Sequence, residues 1–159
     1  MAIIEDFSKL CVHTQTTKPW NIEQCIEHFT AAGIRGISIW RHLLEKKDLK
    51  KIKALLDLHK MEVVSLVRGG FFPSVDPQKR KLALQDNLEA IAEAEALGAP
   101  MVVLVCGADP GQTLQESRRQ IQEAITLLIP DAQKAGVKLA IEPLHPMYCA
   151  DRSVVNTLS

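Results

Sequence analysis

The sequence has no CxxC pair, no long block of one charge sign and no apolar run long enough to span a membrane. Each absence removes a class of function. The four cysteines, Cys11, Cys25, Cys106 and Cys149, are scattered without the spacing of a zinc site or a disulfide framework. Cys11, Cys25 and Cys106 fall within apolar patterns and read as buried free thiols. Cys149 falls in a candidate site loop. Nineteen basic residues balance nineteen acidic ones, so the basic footprint of a nucleic-acid binder is missing and no nucleic-acid partner is expected. The N-terminal MAIIEDFSKL carries early acids and no signal-peptide core, which points to a cytoplasmic location. No membrane partner is expected either. GxSxG and HExxH are absent, as are the phosphate-binding GxGxxG and GxxxxGK[ST].

What is present is an alternation of strand-like and helix-like segments in a chain of 159 residues, 47% of them hydrophobic. The pattern predicts strands over residues 10–14, 36–40, 63–67, 101–105 and 137–141. Helices follow the caps Asn21, Asp48, Asp76-Pro77 and Thr113. Asn21 with Gln24, and Thr113 with Glu116, have capping-box spacing. Pro130 should kink the fourth helix. Residues 153–158 read as the start of a fifth. Residues 68–73, RGGFFP, read as a loop. Unbroken apolar strands separated by helices imply a parallel sheet covered on its faces. A (β/α)8 barrel of roughly 250 residues spends about 31 per unit, so 159 residues fit about five βα units. The expected fold is α/β, an incomplete (β/α)8 TIM barrel. It would be a single partial barrel domain over residues 1–159 without the C-terminal three βα units.

In such a fold the carboxyl ends of the strands carry the chemistry. Strand one presents His13. Strand two presents Trp40 and Arg41. Strand three presents Arg68, Gly69 and Gly70, followed by Phe71 and Phe72. Strand four presents Gly107 and Asp109, and strand five Glu142 and His145. Glu142, at the end of an apolar run, is the leading catalytic candidate, as a base next to a carbonyl or as a ligand to a divalent metal. The alternative is a carboxylate paired with Arg41 or Arg68 for structure alone. His145 could contact a substrate hydroxyl, support Glu142 or be satisfied by backbone. Arg41 and Arg68 suit a phosphate, a carboxylate or sugar oxygens, or an ion pair at the rim. Gly69 and Gly70 permit close backbone approach or positive φ. Phe71 and Phe72 either wall a pocket or pack beneath the loop. His28, His42 and His59 fall on helices or their flanks.

The stretches GISIWR, SLVRGGFFP, LGAPMVVLVCG and LAIEPLHPMYCADRSVVNTL resemble the N-terminal part of the sugar phosphate isomerases/epimerases of the xylose-isomerase-like barrel superfamily. The resemblance runs over essentially the whole chain. It implies a small-molecule sugar or sugar phosphate substrate and metal-assisted proton transfer next to a carbonyl, through an enediolate. It implies a divalent metal, Mn, Mg or Zn, in the complete family member, with Glu142 as ligand and proton shuttle. Arg41, Arg68 and His145 would orient the substrate. The remaining ligands in that family come from strands six to eight, so weak or absent metal binding and impaired or no activity are expected of this chain. An unclosed barrel also exposes strand edges, a route to a homo-oligomer. A metal-dependent nuclease like endonuclease IV, a lyase like inosose dehydratase and a non-catalytic fragment are the alternatives.

Overall fold

The structure, a computed structural model, describes residues 9–158. Residues 1–8 of the N-terminal stretch MAIIEDFSKL lie outside the described residues. Five strands form one sheet in the order β1-β2-β3-β4-β5, every neighbouring pair parallel. They are β1 (Cys11–His13), β2 (Gly36–Trp40), β3 (Glu62–Gly70), β4 (Met101–Val105) and β5 (Lys138–Ile141). Between them run α1 (Ile22–Ala31), α2 (Leu49–Leu58), α3 (Pro77–Leu97) and α4 (Leu114–Lys134). Successive parallel neighbours joined by helices make a partial (β/α)8 barrel. Among the described residues β1 and β5 do not pair, so the sheet remains open. No described helix is long and apolar enough to cross a membrane.

Strand alternation sorts the side chains into two sets. Val12, Ile37, Ile39, Val63, Leu66, Val102, Leu104 and Leu139 pack with the helices in the main core. There they meet Ile22, Ile26 and Phe29 of α1, Ile52 and Leu56 of α2, Ile91 and Leu97 of α3, and Ile121 and Leu128 of α4. The other positions line the concave face: Cys11, His13, Ser38, Trp40, Ser65, Val103, Ala140 and Glu142, with a register shift of β3 against Ile37/Ser38 placing Val63 and Ser65 on opposite sides. Ser38 and Ser65 share a 2.8 Å hydrogen bond on that face. Cys11 belongs to this set and is exposed, contrary to the buried-thiol expectation, because the face is not closed over. Cys25 and Cys106 are buried, and burial pushes the Cys106 thiol up to about 11.

The helix starts follow their local signals. At α1, Asn21 accepts from the Gln24 backbone N–H at 2.8 Å and Gln24 returns the bond at 3.0 Å, a complete capping box. At α4, Thr113 accepts from Glu116 N–H at 3.1 Å. The Glu116 carboxylate turns instead to Arg119 and Gln120, so the reciprocal half of the box is replaced by side-chain partners. The fourth helix continues through Pro130 to Lys134.

Two segments depart from the sequence expectation. Strand β3 does not stop at Val67; it runs through Arg68 and Gly69 to Gly70, with a register shift against β4 between Val67 and Gly69. The cause is non-local. Asn87 of α3, buried, accepts from Gly70 N–H at 2.7 Å and donates to Gly70 C=O at 2.9 Å, imitating a neighbouring strand. Its amide also donates to Ala83 C=O at 2.8 Å. Asn87→Ala leaves the buried Gly70 groups without that partner and is expected to cost roughly 2–3 kcal/mol, measured by urea unfolding. The second departure is residues 153–158, which form no helix. Ser153 makes a parallel bridge to Gly107 instead. Gly107 N–H donates to Arg152 C=O at 2.9 Å, and Val154 N–H donates to Gly107 C=O at 3.1 Å. The chain end is thereby laid beside the exit of β4.

Candidate active site

The carboxyl ends of the five strands form the mouth of the concave face. At β1, His13 Nε2 accepts a 2.7 Å hydrogen bond from Trp40 Nε1 of β2. The two rings meet edge-on with centroids 5.5 Å apart. Trp40 is fixed further by its backbone N–H, which donates to Thr14 Oγ1 at 3.0 Å. Burial lowers the His13 pKa, and the charge of Glu142 acts against that by raising it. His13 and Glu142 stand at the first and last strand ends, and the carboxylate charge reaches the imidazole across the opening. The Glu142 side chain is exposed, and among the described residues its carboxylate has no hydrogen bond or ion pair. Its backbone N–H continues the ladder to Leu104 C=O at 3.0 Å, which sets its direction by strand parity.

The two candidate arginines differ in their commitments. Arg41 is tied to α3: its Nε reaches Glu93 at 2.6 Å and its Nη1 reaches Asp86 at 2.9 Å. Burial disfavours its charge, but the bonds to Glu93 and Asp86 prevail and raise its pKa. Arg68 has no acid partner among the described residues. Its guanidinium lies over the Phe71 ring at 4.3 Å and 5.6 Å from the Trp40 ring centroid. Trp40, Arg41, His42, Val67 and Arg68 line a cleft of about 160 Å³.

The phenylalanines divide the two roles open to them. Phe72 is buried in the core, and Phe71 is exposed at the mouth with φ +57°. Gly69 and Gly70 turn inward. A Cβ on Gly69 would meet Asn87 Oδ1 at 2.4 Å, and one on Gly70 would meet Val105 O at 1.9 Å. His145 is exposed, with Nδ1 accepting from Met147 N–H at 3.2 Å in the turn Pro146–Tyr148. Asp109 accepts from Val75 N–H and Gly111 N–H, each at 2.8 Å, which tie down the loops and lower its pKa. His28 stacks on Trp20 with centroids 4.4 Å apart, outside the mouth. His59 caps α2, and His42 meets the Trp40 ring edge-on at 5.9 Å.

The described residues do not fit a complete metal centre: no three His, Cys, Asp or Glu side chains converge among them. One exposed carboxylate is too few donors to hold a divalent ion firmly. An apolar cleft of about 490 Å³ lies elsewhere, between α4 and the free edge of β5, lined in part by Ile121, Ile125, Ile141 and Val155.

Sequence reasoning passed over Arg152, Tyr148 and Asn87. Arg152 and Tyr148 flank the segment that read as coil and incipient helix. Tyr148 packs against the Arg152 guanidinium at 5.0 Å. The β-branched pair Val154-Val155 was the signal against a helix there. Asn87 interrupts the apolar face of α3 between Leu84 and Ile91, and a lone amide on such a face needs a buried partner.

No curated protein matches the chain. Among solved structures, a protein from Sinorhizobium meliloti 1021 is 38% identical with TM-score 0.89, over 94% of this chain and 55% of that one. The IolI protein, solved with bound zinc, is 22% identical with TM-score 0.77, over 93% of this chain and 54% of its own. The 3-keto-D-glucoside 4-epimerase of E. coli is 16% identical with TM-score 0.75, over 92% of this chain and 58% of its own. The last two likenesses are of fold. The chain spans about half the length of the solved relatives it matches. The family described as xylose isomerase-like TIM barrel matches residues 26–158, so the chain belongs to that family.

Proposed function

We propose that the chain provides the β1–β5 half of a sugar isomerase or epimerase site, in which Glu142 removes and returns a proton next to a carbonyl. The observation that carries this is the facing of His13 and Glu142 across the mouth, where the carboxylate acts on the imidazole charge. A carboxylate free of bonds at a strand end is available as a base. Its partner groups are oriented for a polyhydroxy substrate. His13 is held through Nε2 by Trp40, and the flat Trp40 face suits the apolar side of a sugar. Arg68 supplies positive charge at the mouth, which stabilises negative charge on a bound substrate. Arg41, spent on Glu93 and Asp86, positions β2 and the Arg68 carbonyl. His145 lies on the turn after β5 and keeps Nε2 for a hydroxyl. Divalent metal would supply further stabilisation of the oxyanion in a complete barrel. The described residues bring too few donors together for that here, so turnover by the 159 residues should be impaired.

Deuterium wash-in tests the proposal. The protein is incubated in D2O with a panel of ketoses and their phosphates, with and without Mn, Mg or Zn. Solvent deuterium should enter the carbon next to the carbonyl of at least one sugar, slowly. No exchange with any sugar at high protein concentration would favour a non-catalytic domain instead.

A further inference from the structure

We propose that Arg68 and Arg152 form a two-guanidinium clamp for the phosphate of a phosphorylated sugar at the mouth. This deepens the functional proposal above and rests on the mouth being a sugar site. Seven arginines occur in the chain, and five of them are committed to bonds. Arg35, Arg80 and Arg118 donate to backbone carbonyls, while Arg41 and Arg119 bind carboxylates. Arg68 and Arg152 alone have neither a side-chain hydrogen bond nor an ion pair among the described residues.

The backbone brings these two together from distant parts of the chain. Phe71 N–H donates to Val105 C=O at 2.9 Å and Phe72 N–H to Cys106 C=O at 3.0 Å, so the exit of β3 lies along the exit of β4. On the other side of that exit, Gly107 bridges Ser153 and bonds Arg152 C=O. Gly107 makes the close approach feasible: a Cβ there would lie 2.7 Å from Phe71 Cα. The strip 105–107 thus has an arginine-bearing segment on each flank. Burial and then the positive charge of Arg152 lower the Arg68 pKa.

Each guanidinium is also pre-oriented. Arg68 stacks on Phe71 at 4.3 Å and Arg152 on Tyr148 at 5.0 Å. Stacking occupies the flat face and leaves the N–H edges free, the edges that bind oxyanions in forked pairs. Two like charges held together without an acid are a cost that a dianion removes. The nearby acids do not remove it. Asp109 is committed to backbone N–H groups, and Asp151 and Glu142 pair with neither arginine. A phosphate monoester carries the charge and the oxygens for both forks.

Isothermal titration calorimetry on the 159-residue protein tests the clamp without requiring turnover. Fructose, fructose 6-phosphate and inorganic phosphate are the probes. Wild type should bind the phosphosugar about tenfold or more tighter than fructose, and Arg68→Ala and Arg152→Ala should each remove most of that advantage. Arg68→Lys and Arg152→Lys should restore it in part, and unchanged melting curves should show that the fold persists. Equal binding of sugar and phosphosugar by wild type overturns the clamp, as does a phosphosugar preference that survives both alanine substitutions. Inorganic phosphate bound as tightly as the phosphosugar overturns the substrate class, leaving a free-phosphate site. A clamp that binds in a protein that never exchanges deuterium would thus fail the catalytic proposal alone.

Discussion

Gly70→Ala should cost the protein roughly 4 kcal/mol or more, a loss reserved for backbone collisions and comparable cases. The residue sits at φ +107°, where an L side chain is strained, and its Cβ would come within 1.9 Å of Val105 O and 2.5 Å of Val105 C. Both obstacles are backbone of the paired strand, so no rotamer change relieves them. Separating them would break the Gly70–Val105 pairing and the two Asn87 bonds that extend β3. A domain of this size is stable by only about 5–15 kcal/mol, so the variant should unfold near ambient temperature or accumulate as aggregate. Gly33 provides the control. It also has positive φ, +77°, but nothing stands within 4 Å of its Cβ position. Gly33→Ala should cost only the conformational term, about 1–2 kcal/mol. Urea unfolding of the pair separates collision from strain. Similar midpoints for the two variants would refute the packing of β3 on β4.

Glu142→Gln should have the opposite signature, a large effect on turnover with almost none on stability. Removal of a general base typically lowers rate by about 10²–10⁴-fold, and deuterium wash-in should fall by that order. The side chain is exposed and its carboxylate has no bond among the described residues, so unfolding free energy should move by less than about 0.5 kcal/mol. Gln keeps the shape and removes the charge, so a lost rate with an unchanged melting curve assigns the effect to the proton-moving group. Exchange as fast in the variant as in wild type would exclude Glu142 as the base.

The signals that made the fold legible were local. Asn21 with Gln24, Asp76 before Pro77, and the unbroken apolar runs of β2 and β4 act within a few residues, and the structure follows them closely. The misread segments were those held by distant partners. Arg68-Gly69-Gly70 has the composition of a loop, yet an amide seventeen residues later makes it strand. Residues 153–158 read as the start of a helix, yet Gly107 draws Ser153 into a bridge. Cys11 stands in an apolar pattern whose concave side is open. At the mouth, spacing alone could name Arg41 and Arg68 but could not separate them. Glu93 and Asp86, which engage Arg41, lie 52 and 45 residues away in sequence. The strand-end rule placed His13, Trp40, Arg68 and Glu142 at one rim because β-strand parity and parallel order are set by the pattern itself. It could not supply Arg152, which arrives there only through a non-local bridge.

The facing of Glu142 and His13 is tested most directly by an NMR titration of His13 in wild type and in Glu142→Gln. Burial depresses the imidazole pKa below its ordinary value of 6.5, and the carboxylate offsets part of that depression. With the pKa depressed, the neutral form that accepts from Trp40 is the native one. Its contribution to stability is therefore complete above the unfolded-state value and is lost as pH falls through the folded one. Removing the carboxylate charge should lower the His13 pKa further, and the Trp40 indole N–H signal should follow the same titration. A His13 pKa that is unchanged or raised in Glu142→Gln would contradict a shared opening between the first and fifth strand ends.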